Sequence, residues 1–154
     1  MRAVVQRVRS ASVDVEGERI SSMGPGLVVL LGVGAGDVPE DGERLAAKVA
    51  SLRIFEDAAG KMSVSLPDTG GEVMVVPQFT LYGDVRHGRR PDFTRAAPPE
   101  KGQRLYDAFC GALRGAGLRV ATGRFGAMMR VNTEGDGPVT IVATTDGWDE
   151  AGLR

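Results

Sequence analysis

The chain has 154 residues, 42% hydrophobic and 25% charged, which allows one domain with a real core but no deep private pocket under a lid domain, so a site shared between subunits is expected. A formal net charge of −1 excludes a global field that draws the chain to nucleic acid or membrane and leaves any RNA contact to a local basic patch. The single cysteine, Cys110, excludes an intramolecular disulfide framework.

In chain order, residues 2–8 and 11–15 are β-branched with partial alternation and read as strands, starting without the apolar run of a signal peptide. Glu16-Gly17-Glu18 turns the chain into a further strand over residues 19–23. Leu27–Leu31 is a continuous apolar run bounded by Pro25-Gly26 and Gly32, the pattern of a strand buried on both faces. The longest apolar stretch, residues 27–33, is too short to span a bilayer, and the cytoplasm is the expected compartment. Asp37 and Pro39 signal a helix start, and Leu45, Val49 and Leu52 continue it at helical spacing over residues 39–52.

Residues 53–56 and 62–66 predict a hairpin around Asp57-Ala58-Ala59-Gly60, and residues 72–82 an apolar strand. Residues 83–97 form a loop rich in Gly, Arg and Asp. Pro98 and Pro99 suit a first helical turn; Leu105, Phe109 and Leu113 give the helix its apolar face, and Gly115 and Gly117 end it. Residues 118–122, 127–132 and 138–145 read as the last strands. Two helices and about eight strands, with no linker, predict a single α+β domain over residues 1–154: a strongly curved, mostly antiparallel, barrel-like sheet packed against both helices.

Familiar catalytic constellations are missing. No zinc spacing, no P-loop ending and no Gly-x-Ser-x-Gly elbow occurs, and a lone His87 does not make a metal site, so no metal or cofactor is expected. Cys110, mid-helix beside Phe109, reads as a core thiol.

Three segments remain. Gln78 and Thr80 flank Phe79 at the end of an apolar strand, two apart and so on one side; main-chain N–H groups there suit an oxyanion, although the same pattern fits an ordinary strand edge. Gly137-Pro138 leads into the last strand, either as a plain turn or as a rigid wedge that pushes bare carbonyls into a pocket. Arg86, Arg89 and Arg90, with Arg95 nearby, lie on the Gly-rich loop and suit phosphates or plain solvent equally.

Seven pieces in order resemble one family, the D-aminoacyl-tRNA deacylases, first described as D-tyrosyl-tRNA deacylases. They are residues 1–8 with Ala11-Ser12-Val13, Leu52–Asp57, Gly60-Lys61-Met62, Gln78–Gly83, Gly88–Pro91, Thr122–Met129 and Gly137–Thr140. Two positions depart from the family pattern: Pro77 stands where a serine is usual in Ser-Gln-x-Thr, and Gly135 where an asparagine is usual in Asn-x-Gly-Pro.

The resemblance implies a homodimer with two interfacial sites that hydrolyse the aminoacyl ester of D-aminoacyl-tRNA. In it, a cis Gly137–Pro138 of one subunit faces Gln78, Phe79 and Thr80 of its partner and excludes L side chains. A glycyl ester, such as glycine mischarged on tRNA-Ala, is not fully rejected by such a gate. It also implies that Met129 and Arg7 lie near the pocket. Met129 fits core packing as well. Thr80 reads as an aligning hydroxyl, because the sequence supplies no obvious base to activate it; His87 takes that role only if its loop folds over the pocket. Two other readings stay open: an RNA-binding module that lost its site, and a deacylase of altered specificity with a trans Gly-Pro bond.

Overall fold

In the computed structural model the described residues are 1–147, and the last seven residues of the expected 1–154 domain lie outside them. The chain opens with a 14-residue strand, β1 (Arg2–Val15), which every other part of the main sheet refers to. It pairs antiparallel with β2 (Glu18–Met23) along its second half, with β3 (Gly26–Gly32) along its first half, and with β8 (Arg130–Thr144) along nearly its whole length. Beyond β3 the sheet continues in parallel through β6 (Glu72–Pro77) and β7 (Arg119–Thr122). The result is a mostly antiparallel, barrel-like sheet in an α+β domain.

Side-chain parity along β1 explains the curvature. Met1, Ala3 and Val5 point into one core cluster with Leu27, Val29 and Phe109, whereas Val8, Ala11, Val13 and Val15 point into a second cluster with Val28, Met74 and Val76. The side-chain alternation reverses between Val8 and Ala11, and the register with β8 slips on either side of Val8, once between Gln6 and Val8 and again between Val8 and Ser10. Such bulges bend a strand without ending it. For that reason the two strands expected over residues 2–15 are one strand, and those expected over 127–132 and 138–145 are likewise the single β8.

Two helices cover one face. α1 (Pro39–Ser51) starts at the proline that fits a first turn, and the Asp41 carboxylate accepts the Val38 N–H at 3.0 Å. A hairpin of β4 (Phe55–Glu56) and β5 (Met62–Val64) follows, then a short helix α2 (Leu66–Thr69) that the sequence pattern did not reveal. α3 (Pro99–Gly115) packs on α1 and buries Leu105, Phe109, Cys110 and Leu113. Phe109 is fully buried, and truncating such a ring costs about 3–5 kcal/mol. Burial pushes the Cys110 thiol up to about 11, in keeping with a core thiol rather than a nucleophile. No described helix is long and apolar enough to cross a membrane.

The strand expected over residues 72–82 stops at Pro77. Proline has no N–H to continue the ladder, and residues Phe79–Tyr82 wind into a 3-10 turn. That turn lies close to the end of β3, because a Cβ at Gly32 would sit 3.0 Å from the Leu81 side chain, and just beyond the strand a Cβ at Gly34 would sit 2.7 Å from the Tyr82 ring.

Candidate active site

The 3-10 turn carries the first group of candidates. The Gln78 N–H donates to the Leu31 carbonyl at 2.7 Å, anchoring the turn to the end of β3. Gln78 itself has φ −142° and ψ 75°, outside strand geometry, and its side-chain amide donates to the Thr80 hydroxyl. The two side chains therefore meet on one side through the turn rather than through strand alternation. The first N–H used inside the turn is that of Leu81, to the Gln78 carbonyl at 3.2 Å. The N–H groups of Phe79 and Thr80 precede it and have no partner in the turn, as at any helix start. Phe79 is 56% exposed and stands edge-on to Phe93, with ring centroids 5.1 Å apart.

Behind the turn, Arg2 donates to the Leu81 carbonyl at 2.9 Å and lies over the Tyr82 ring at 4.3 Å from its centroid. The Tyr82 hydroxyl donates to Asp37 at 3.3 Å. Burial first, and the Asp37 charge second, push the Tyr82 phenol well above its usual range, so it stays a neutral donor.

The second group sits in the middle of β8. The Gly137–Pro138 peptide is cis, and Gly137 has φ +134°, a region open to glycine. A Cβ there would lie 2.7 Å from the Val139 main-chain nitrogen. Both residues are exposed, opposite the point where β1 and β8 slip register. Arg7 fills that slip and is only 7% exposed. Its Nε donates to the Asp136 carbonyl at 3.2 Å and pairs with the Asp136 carboxylate at 3.1 Å. Its Nη1 donates to the Ile54 carbonyl at 2.6 Å, and Glu56 stands 3.9 Å away. Arg7 thus braces the Gly-Pro segment from within its own chain. Asp136 was missed in the sequence, yet a signal existed: Arg7 shares the inward parity of Ala3 and Val5, and an inward charge needs a buried partner.

Within one chain the two groups are apart. From Gly137–Pro138, opposite Arg7, to Gln78 the sheet path crosses β8, β1, β3 and β6, about 14 Å over three inter-strand steps, and runs about 16 Å further from Val73 to Gln78. No hydrogen bond, ion pair or ring contact joins them among the described residues. Met129 lies nearer the first group: its sulfur would meet a Cβ at Gly123 at 2.8 Å, where the Pro77 ring also approaches, and it packs against the second core cluster. Pro77 and Gly135, the two departures, thus flank different groups.

On the basic loop, Arg86 forks onto the Asp84 carboxylate, with Nε 2.9 Å from each oxygen. That hydrogen bonding holds the Asp84 carboxyl well below its ordinary range. Arg89 and Arg90 are exposed, with no side-chain ion pair among the described residues. His87 is exposed and makes no hydrogen bond to Gln78 or Thr80 among the described residues.

Comparison with known proteins agrees with this architecture. The family profile described as D-Tyr-tRNA(Tyr) deacylase matches residues 4–144. A D-aminoacyl-tRNA deacylase of Chloroflexus aurantiacus is 58% identical over 154 residues, spanning 100% of this chain and 93% of its own. That of Heliobacterium modesticaldum is 55% identical over 147 residues, covering 96% of this chain and 98% of its own. Among solved structures, one described as c-Myc DNA Unwinding Element Binding Protein superposes with TM-score 0.90 at 43% identity, covering 96% of this chain and 100% of that one. Another, described as a probable eukaryotic D-amino acid tRNA deacylase, shares the fold with TM-score 0.82 at 21% identity, over 92% and 97%. The chain belongs to the D-Tyr-tRNA(Tyr) deacylase family and is a D-aminoacyl-tRNA deacylase, a hydrolase of the ester bond in aminoacyl-tRNA.

Proposed function

We propose that the reaction centre is completed across a homodimer, with Gln78, Phe79 and Thr80 of one protomer facing Gly137 and Pro138 of its partner. The observation that carries this reading is the separation of the two groups within one chain, each exposed and each braced by its own buried arginine. The N–H groups of Phe79 and Thr80 receive the developing oxyanion, and Thr80, held by the Gln78 amide, aligns the ester. An ester is activated enough that positioning and oxyanion donors serve in place of a triad.

Chiral selection is by exclusion. Carbonyl oxygens beside a side-chain-free Gly137 occupy the space that an L side chain would need, while a D side chain points away. A glycyl ester escapes the gate in part. Met129 lines the pocket floor, Arg7 holds the gate, and Arg89 and Arg90, with Arg86 more weakly, contact tRNA phosphates. The reaction takes place in the cytoplasm without a metal or cofactor.

The test is release of amino acid from matched tRNA esters. D-tyrosyl-tRNA should be hydrolysed and L-tyrosyl-tRNA spared, with glycyl-tRNA between them. Equal rates on the D and L esters would sink the gate.

A further inference from the structure

The geometry points to Arg2 as a positioning residue for the Phe79–Tyr82 turn, and through it for the main-chain donors of the reaction centre. This rests on the reading of Gln78–Thr80 as that centre. Arg2 lies on β1 opposite Gly32 and Thr144 and is 3% exposed. Its guanidinium is engaged on different sides by unlike groups. Nη1 donates to the Leu81 carbonyl at 2.9 Å, Nε donates to the Asp146 carboxylate at 3.0 Å, and the plane lies 4.3 Å from the Tyr82 ring centroid. A planar fork fixes its acceptors in direction as well as distance, which an ammonium does not.

Leu81 and Tyr82 are the last two residues of the turn. The Tyr82 hydroxyl is held in turn by Asp37, whose carboxylate also accepts the Gly34 N–H at 2.6 Å and the Met1 amine at 2.7 Å. At its other end the turn is tied by the Gln78 N–H to β3. Phe79 and Thr80 are therefore strung between two fixed points, and Arg2 supplies one of them. Oxyanion donors act only when aimed within a few tenths of an ångström of the developing charge. Freeing the Leu81 end lets the Phe79 and Thr80 N–H groups wander, while substrate contacts elsewhere stay intact.

The test uses the full-length protein on D-tyrosyl-tRNA, well below the melting transition of every variant. Arg2→Met keeps the stem and removes the fork; Arg2→Lys keeps a charge and donors. Arg2→Met should lower kcat by at least about tenfold with KM within about twofold, because misaligned donors act on the rate. The preference for D over L esters should not move, since Gly137–Pro138 is untouched. Arg2→Lys should recover part of the rate. Asp146→Asn leaves the arginine in place and loosens its outer anchor, so it should lower kcat in the same direction by less, and it serves if Arg2→Met does not fold. Wild-type kcat in Arg2→Met or in Asp146→Asn, or a loss that the unfolded fraction accounts for, would overturn the role. A Gln78→Ala control separates the two readings. An impaired Gln78→Ala beside an unimpaired Arg2→Met removes only the role of Arg2, whereas an unimpaired Gln78→Ala removes the reaction centre and this role together.

Discussion

The Gln78–Thr80 turn and the Gly137–Pro138 segment are built on opposite principles. The turn, at a strand end, offers what a reacting ester needs: N–H groups with no partner in the turn, a hydroxyl, and an amide to hold it. The Gly-Pro segment, in the middle of a 15-residue strand, offers almost nothing but main chain. β1 braces both, through Arg2 at one and Arg7 at the other. Chemistry and selection are thus separable, and substitutions on the two sides should fail in different ways.

The largest effect is expected at Gly137. In Gly137→Ala the new Cβ would lie 2.7 Å from Val139 atoms at a φ of +134°, so the backbone must move. Turnover of D esters should fall by about a hundredfold, as a misplacement of about 1 Å implies, and the D-over-L ratio should narrow. A ratio unchanged from wild type, measured on paired tyrosyl-tRNAs, would detach Gly137 from selection. Thr80→Ala is the converse case. It should lose about tenfold in kcat, the order of one positioned hydroxyl, with the D-over-L ratio and the melting temperature kept. Complete loss with intact binding would make Thr80 a nucleophile instead. Smallest on the chemistry is the paired change of Arg89 and Arg90 to Ala. It should weaken tRNA binding and lower the slope of log affinity against log salt by roughly one or two, one for each lost phosphate contact. Arg86→Ala should do less, because Asp84 already holds that guanidinium. An unaltered slope for the pair would leave the loop as plain surface.

Much of the fold was readable because it follows local pattern. The apolar run of Leu27–Leu31 is a strand buried on both faces, and the 3.6-residue spacing of Leu45 and Val49 behind Pro39 is a helix from that proline onward. What the pattern hid depends on partners far away in sequence. β1 reads as two strands because Arg9 and Ser10 interrupt its alternation, and only pairing with β8 carries it through. The 3-10 turn at Phe79 looks like a strand because the apolar run continues to Tyr82, yet Pro77 ends the ladder and Tyr82 seats against Gly34. At the site, the residue types of Gln78, Thr80 and Gly137 suggested where to look. The braces were less visible: Arg7 carried a parity signal, whereas nothing local in the sequence says that Arg2 reaches Leu81, 79 residues on.

Subunit complementation tests the shared centre most directly. Gln78→Ala and Gly137→Ala, each impaired alone, are co-expressed so that mixed dimers form. One site of each mixed dimer then keeps an intact Gln78 from one chain and an intact Gly137–Pro138 from the other. Random pairing should restore roughly a quarter of wild-type turnover, since half the dimers are mixed and each retains one of two sites. Activity no higher than that of the separate variants, with mixed dimers present, would show that each chain works alone and contradict the account.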